Sequence, residues 1–277
     1  CYKQRKLHSK PIMNYSQYLF ISLLVLFSNF VHAAAADLER EKRLADEIVD
    51  TIIDGDPVFL QAENHEFLSI YMEADVTQGE QKSAAIILHG RGFHPDWQDT
   101  VNPLRVGLAE AGWNTLSVQM PVLEKDAKYY DYVPLFAEAL PRIEAAIEYV
   151  RAQGNERVAL IAHSCGSHMA MAWVDAEPEV RASQNIDAFV GIGMGATDYK
   201  QYMKKPLPFE KLTVPVLDVY GENDYPAILK KAPERISRIK SAGNAKSAQV
   251  TIPHSNHYHT EKGQELTSAI SQWLNSL

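Results

Sequence analysis

Residues 157–166 read RVALIAHSCG, and the reading of this stretch decides the fold. After Arg157 comes a continuous apolar run, 158–162, of the kind found in a strand covered on both faces. The run ends at His163-Ser164-Cys165-Gly166, and helical character follows to Asp175. Small residues two before and two after Ser164 permit a tight strand-to-helix turn, which lifts the hydroxyl into a strained, exposed position above a helix N-terminus. The short pattern alone is weak, because chance supplies it often. Its place between a buried strand and a helix gives it weight. A serine that only N-caps the helix is the plainer alternative.

Working outward, strand and helix signals alternate. Residues 58–61 and 67–72 form an expected edge hairpin around Asn64-His65, and 84–88 (AAIIL) is a buried strand ending at His89-Gly90. An amphipathic helix over 99–111 carries Val101, Leu104, Leu108 and Ala111 on one side and stops at Gly112. Strands are expected at 113–118, 186–192, 214–220 and 249–252, with helices at 135–152, 228–240 and 263–277 and a polar leading helix before Asp50. Buried strands alternating with helices predict an α/β fold: a mostly parallel central sheet of about eight strands with helices on both faces. In such sheets the site lies beyond the carboxyl ends of the strands.

Those ends carry the residues that acyl transfer needs. A serine is a poor nucleophile until a base takes its proton, and a buried carboxylate must orient and stabilise that base. Ser164, Asp224 (in Gly221-Glu222-Asn223-Asp224) and His257 (in Pro253-His254-Ser255-Asn256-His257) arrive in that order, each just past an expected strand. The Cys165 N–H at the helix start is a candidate oxyanion donor. The turn His89-Gly90-Arg91-Gly92 offers the second donor, with Arg91 preferred over Gly92, although such a glycine turn also occurs without function. Gly90, Gly92 and Tyr130 are expected to line the substrate groove, with Tyr129 and Tyr132 as further candidates beside it; tyrosines in loops also often only pack.

From about residue 57 to 277 the chain resembles the α/β-hydrolase superfamily. The resemblance rests on His89-Gly90, Ala162-His163-Ser164-Cys165-Gly166, Gly221-Glu222-Asn223-Asp224 and His257-Tyr258. It looks closest to a poorly characterised group of exported bacterial hydrolase-like proteins, akin to the dienelactone-hydrolase and esterase branches. One departure is Ala162 where glycine is commoner, and alanine still meets the small-residue requirement. The resemblance implies a serine hydrolase acting on carboxylic esters, with His257 where the family's base falls. The rival from another class is a cell-envelope binding protein that keeps the fold without turnover.

Competing assignments surround each residue. Asp198, after the 186–192 strand, is an alternative acid. His254, His257 and His259 together suggest a metal set, but no nearby cysteine or carboxylate completes it, so no metal and no organic cofactor is implied. A Cys165 nucleophile would put the bulky His163 at a position that needs a small residue, so the register favours Ser164. His163 and His168 are expected to pack locally or lie exposed. Only 193–213 separates two strands where many lipases insert a lid, so no large lid is expected.

The start of the chain reads differently. Residues 18–31, YLFISLLVLFSNFV, are apolar, follow Lys3, Arg5, Lys6 and Lys10, and lead into Ala33-Ala34-Ala35-Ala36. This describes a signal peptide over 1–36, with Met13 as a possible start, and a single domain over 37–277 that is periplasmic or secreted. An uncleaved N-terminal anchor is the alternative; the run is short for a span of about 20 residues. The net charge is −8, and because those four basic residues precede every acidic one, a chain beginning at Ala34 carries about −12. Such acidity excludes nucleic acid as a main partner and argues against stable membrane association after cleavage. The expected partner is a small-molecule or polymer-attached ester. Cys165 would then stand alone, leaving no intramolecular disulfide.

Overall fold

The computed structural model describes residues 35–75, 82–176 and 186–277. The leader-like segment lies outside the described residues as far as Ala34. The body is an eight-stranded sheet: β1 (Asp56–Ala62), β2 (His65–Met72), β3 (Ser83–Leu88), β4 (Asn114–Val118), β5 (Arg157–His163), β6 (Ala188–Ile192), β7 (Val216–Asn223) and β8 (Ala248–Asn256). Their order is β1-β2-β4-β3-β5-β6-β7-β8. β1 and β2 pair antiparallel, β2 pairs antiparallel with β4, and every other neighbouring pair is parallel.

The helices are α1 (Leu38–Ile48), α2 (Val101–Glu110), the single turn α3 (Tyr129–Tyr132), α4 (Leu140–Ala152), α5 (Cys165–Asp175), α6 (Pro226–Ser241) and α7 (Gly263–Asn275). Alternation along the strands divides the core. Ala84, Ile86 and Leu88 of β3 point into one apolar layer with α4 and α5, while Ala85 and Ile87 point into the other with α2 and α7. Both layers are closed to water, which explains why the strands read as unbroken apolar runs. Val133–Ala139, which overlaps the start of the helix expected over 135–152, is a 3-10 segment ahead of α4, with Pro134 and Pro141 near the two helical starts.

Between β6 and β7 the only helical piece is the 3-10 turn Phe209–Lys211, so no large lid covers the strand ends. No helix of the described residues is long and apolar enough to cross a membrane.

Asp218 sits within β7, fully buried, and receives Arg235 Nε at 2.9 Å and Gln249 Nε2 at 2.6 Å. This pair ties α6 and β8 to β7 on either side of the loop that carries Asp224. Removing one partner of a buried ion pair leaves the other uncompensated. Asp218→Ala is therefore expected to lower stability by about 3–5 kcal/mol, measured by urea unfolding; a change below about 1 kcal/mol would mean that Arg235 finds water instead.

Candidate active site

The turn out of β5 is built by close approach. Ser164 adopts φ 52° and ψ −115°, a left-handed conformation that costs about 1–3 kcal/mol for a residue with a side chain. Its N–H donates to the Ile192 carbonyl at the end of β6 (2.8 Å), and the Ser167 hydroxyl donates to Ala162 O (2.7 Å). A Cβ at Gly166 would stand 2.6 Å from His89 O and 2.9 Å from Leu88 O. Glycine there is what lets α5 start against the end of β3.

The side chains converge above this turn. Ser164 Oγ lies 2.8 Å from His257 Nε2, and His257 Nδ1 lies 2.7 Å from Asp224 Oδ1. Since Asp224 is acceptor-only when ionised, Nδ1 carries the proton and Nε2 faces the serine as acceptor. His257 and Asp224 are both buried, and Asp224 Oδ1 also accepts the Tyr225 N–H at 2.6 Å. Ser164, Asp224 and His257 each follow the last residue of a strand, although β7 and β8 run further than their apolar stretches suggest.

Several residues to which the sequence reading gave no such role hold His257. The Tyr225 ring stacks on its imidazole, with centroids 4.3 Å apart, and the Tyr225 and Tyr258 hydroxyls meet at 2.8 Å. His163 is buried, neither exposed nor merely packed, and its Nε2–H donates to the His257 carbonyl at 3.0 Å. Gly193, at φ 60°, backs the ring: a Cβ there would come within 2.7 Å of His257 Cε1. Nothing in the one-dimensional pattern marks these residues, because each acts across strands far apart in the chain.

The other histidines of the last loop diverge. His254 is exposed, and its Nδ1 pairs with Glu222 at 3.2 Å. His259 is buried, with Nδ1 2.8 Å from Ser255 Oγ. Among the described residues no cluster of His, Cys, Asp or Glu is disposed to hold a metal ion. Burial pushes the Cys165 thiol up to about 12, so the thiol is protonated at neutral pH.

His89 organises the facing turn. Its Nδ1–H donates to Gly90 O at 2.7 Å, and its Nε2 accepts the Met120 N–H at 2.9 Å. With the Gly90 carbonyl held toward the ring, the trans peptide turns the Arg91 N–H the other way. Among the described residues neither the Arg91 nor the Cys165 N–H donates to another protein group. The Arg91 guanidinium pairs with both oxygens of Asp198, which also accepts the Tyr129 N–H at 2.6 Å. Burial raises the Asp198 carboxyl, but Arg91 and this N–H outweigh it and hold it below its ordinary value. Asp198 therefore faces Arg91, and it is Asp224 that meets His257.

A cleft of about 780 Å³ opens over Ser164. Arg91 and Cys165 line it, as do Tyr129, Tyr225 and Tyr258; Gly90, Gly92 and Tyr130 are not on its wall. The Tyr130 hydroxyl instead accepts the N–H of the lining residue Tyr202 at 2.9 Å. Of the three candidate tyrosines, Tyr129 is the one on the wall, placed there by the turn α3.

This architecture and its strand-end turn define the α/β-hydrolase fold. A family model described as a protein of unknown function, DUF3530, matches residues 22–133 and 136–276, and the chain belongs to that family. Among solved structures, XC6422 from Xanthomonas campestris, a serine hydrolase without a lid, is similar at TM-score 0.60 and 16% identity, covering 81% of this chain and 95% of that one. Est1E from Butyrivibrio proteoclasticus is similar at TM-score 0.56 and 17% identity, covering 79% and 98%. The Pyrococcus furiosus esterase Pf2001 is similar at TM-score 0.59 and 14% identity, covering 79% and 91%. At these identities the likeness is one of fold. No curated protein matches the chain.

Four buried imidazoles surround the site. Burial holds His89 down to about 3, holds His168 and His259 down to about 4, and keeps His163 well below its ordinary value. All four stay neutral in the folded chain, while an unfolded histidine takes a proton below about pH 6.5. The unfolded state then binds more protons, so stability falls as pH drops from about 6.5 toward 4. Going from about pH 7 to 5.5 is expected to cost roughly 1 kcal/mol per buried histidine, seen as a lower urea midpoint at unchanged slope. A midpoint that holds or rises would contradict the neutral assignment.

Proposed function

We propose that the protein is an exported serine hydrolase that cleaves carboxylic esters, its single catalytic domain following a leader. The observation that carries the catalytic reading is the continuous line from Asp224 through His257 to Ser164, at 2.7 and 2.8 Å. The basic, apolar and alanine-rich start of the sequence supports export. The fold shared with the esterase Pf2001 and the serine hydrolase XC6422 supports the reaction class.

In this reading Ser164 Oγ attacks the ester carbonyl while its proton passes to His257 Nε2. The resulting imidazolium is stabilised by Asp224, and the carbonyl oxygen, now negative, is held by the N–H groups of Cys165 and Arg91. The C–O bond to the alcohol breaks, and the alcohol leaves with the proton from His257. Water then repeats the sequence on the Ser164 ester and releases the acid. The Arg91–Asp198 pair keeps the oxyanion turn in place from the far side of the cleft. Open access, without a large lid, suits a small ester or one attached to a polymer.

The test is covalent labelling with a fluorophosphonate probe together with hydrolysis of p-nitrophenyl esters. Labelling of the unaltered chain is expected, with none for Ser164→Ala; an unlabelled native protein leaves the binding-protein alternative. His257→Ala is expected to lower kcat by about 10³-fold or more. His254→Ala, at an exposed position, is expected to retain activity; the reverse pattern would move the base to His254.

A further inference from the structure

The walls of the cleft carry the opposite sign of charge from the rest of the molecule. The chain as a whole is acidic, at −8. The cleft over Ser164 is lined by the cations Arg91, Lys200, Lys230 and Lys231 against the carboxylates Asp198 and Glu234. Arg91 and Asp198 neutralise one another, so the lysines outnumber the remaining carboxylate. On other surfaces lysines find partners, as Lys42 does with Asp46 (2.6 Å), Lys82 with Glu156 (2.7 Å) and Lys211 with Asp175 (2.6 Å). Among the described residues no ion pair engages Lys200, Lys230, Lys231 or Glu234.

Helix stability does not account for this placement. Lys230 and Lys231 lie in the first half of α6, about 6–8 Å along its axis from Pro226, and the first turn holds no acidic residue. Cations near a helix N-terminus oppose the macrodipole. Lys231 is also half-buried, and its charge adds to burial in lowering the pKa of His168, whose Nε2–H donates to the cleft residue Ala196 at 2.9 Å. Beside the lysines, Tyr199 and Tyr202 are 87% and 77% exposed, offering flat apolar surface to a ring.

We infer that the preferred substrate is an ester carrying a negative charge of its own, a carboxylate or a phosphate, held by Lys200, Lys230 and Lys231 while the ester reaches Ser164. Ammonium groups without a carboxylate partner in a concave site concentrate an anion and repel a cation. The inference takes its chemistry from the ester-hydrolase reading, but the charge preference can be measured apart from turnover.

The experiment compares 4-carboxyphenyl acetate with its neutral isostere 4-carbamoylphenyl acetate, and 4-acetoxybenzyl phosphate with 4-acetoxybenzyl alcohol. At low salt, kcat/KM for an anionic ester is expected to exceed that of its neutral partner by about tenfold or more. The larger of the two ratios identifies carboxylate or phosphate. That ratio is expected to fall toward one in the Lys230→Gln/Lys231→Gln variant, and in 1 M NaCl, where the Debye length is about 3 Å. Ratios at or below one for both pairs, or a preference untouched by the double substitution, would overturn the proposal. If no ester is cleaved, the hydrolase reading fails by itself. Calorimetry of benzoate against benzamide, and of benzyl phosphate against benzyl alcohol, on the Ser164→Ala chain then decides the charge preference: about tenfold tighter binding of either anion supports it, and equal binding of both pairs refutes it.

Discussion

The structure depends on one close approach: the first turn of α5 must lie against the carbonyl ends of β3 without a side chain between them. Gly166 meets that condition, and Ser164 takes the left-handed backbone conformation that the sharp turn requires. The strain is tolerated because the surroundings over-determine it. The Ser164 N–H is fixed on β6, Ser167 holds the Ala162 carbonyl, and buried strands flank the turn on both sides. From that point the sheet order β3-β5-β6-β7-β8 sets what reaches the serine. Each parallel strand adds one loop at the same edge, and the loops after β7 and β8 bring Asp224 and His257 within hydrogen-bonding distance.

Around this turn the protein keeps its imidazoles neutral by burying them, and gives each a fixed polar partner. His89 is locked between Gly90 O and the Met120 N–H, His163 against the His257 carbonyl, and His168 against Ala196 O. A neutral ring in a fixed tautomer orients backbone groups without adding charge to the site. Lys200, Lys230 and Lys231 stand on the walls of the cleft, while Asp224 and Arg91 carry charge close to Ser164 and His257. The low dielectric around Ser164 and the polar cleft above it are thus separate regions of one pocket, built from different loops.

How much of this was legible in the sequence differs from residue to residue. The strands could be read because burial on both faces leaves continuous apolar runs such as Ala84 to Leu88. Ser164 could be read because a tight turn demands small neighbours at fixed spacing. Element ends were less accurate: β8 continues through Pro253, His254 and Ser255, where a proline and two polar side chains hide a strand that pairs with β7 around a bulge between Gly221 and Asn223. Tyr129, Tyr130 and Tyr132 could not be told apart, since a single helical turn gives too short a pattern to reveal which tyrosine lines the cleft.

The sequence by itself determined the order of the elements, the turn that presents Ser164, and the residue types able to assist it. All of these follow from local backbone sterics and from the apolar content of individual strands. Only the tertiary structure decided that Asp224 rather than Asp198 meets His257, that Asp198 is taken by Arg91, and that His163, Gly193 and Tyr225 brace the imidazole. These pairings depend on which strands lie side by side and how far each loop reaches. Such distances arise from packing the whole sheet, and no stretch of sequence contains them.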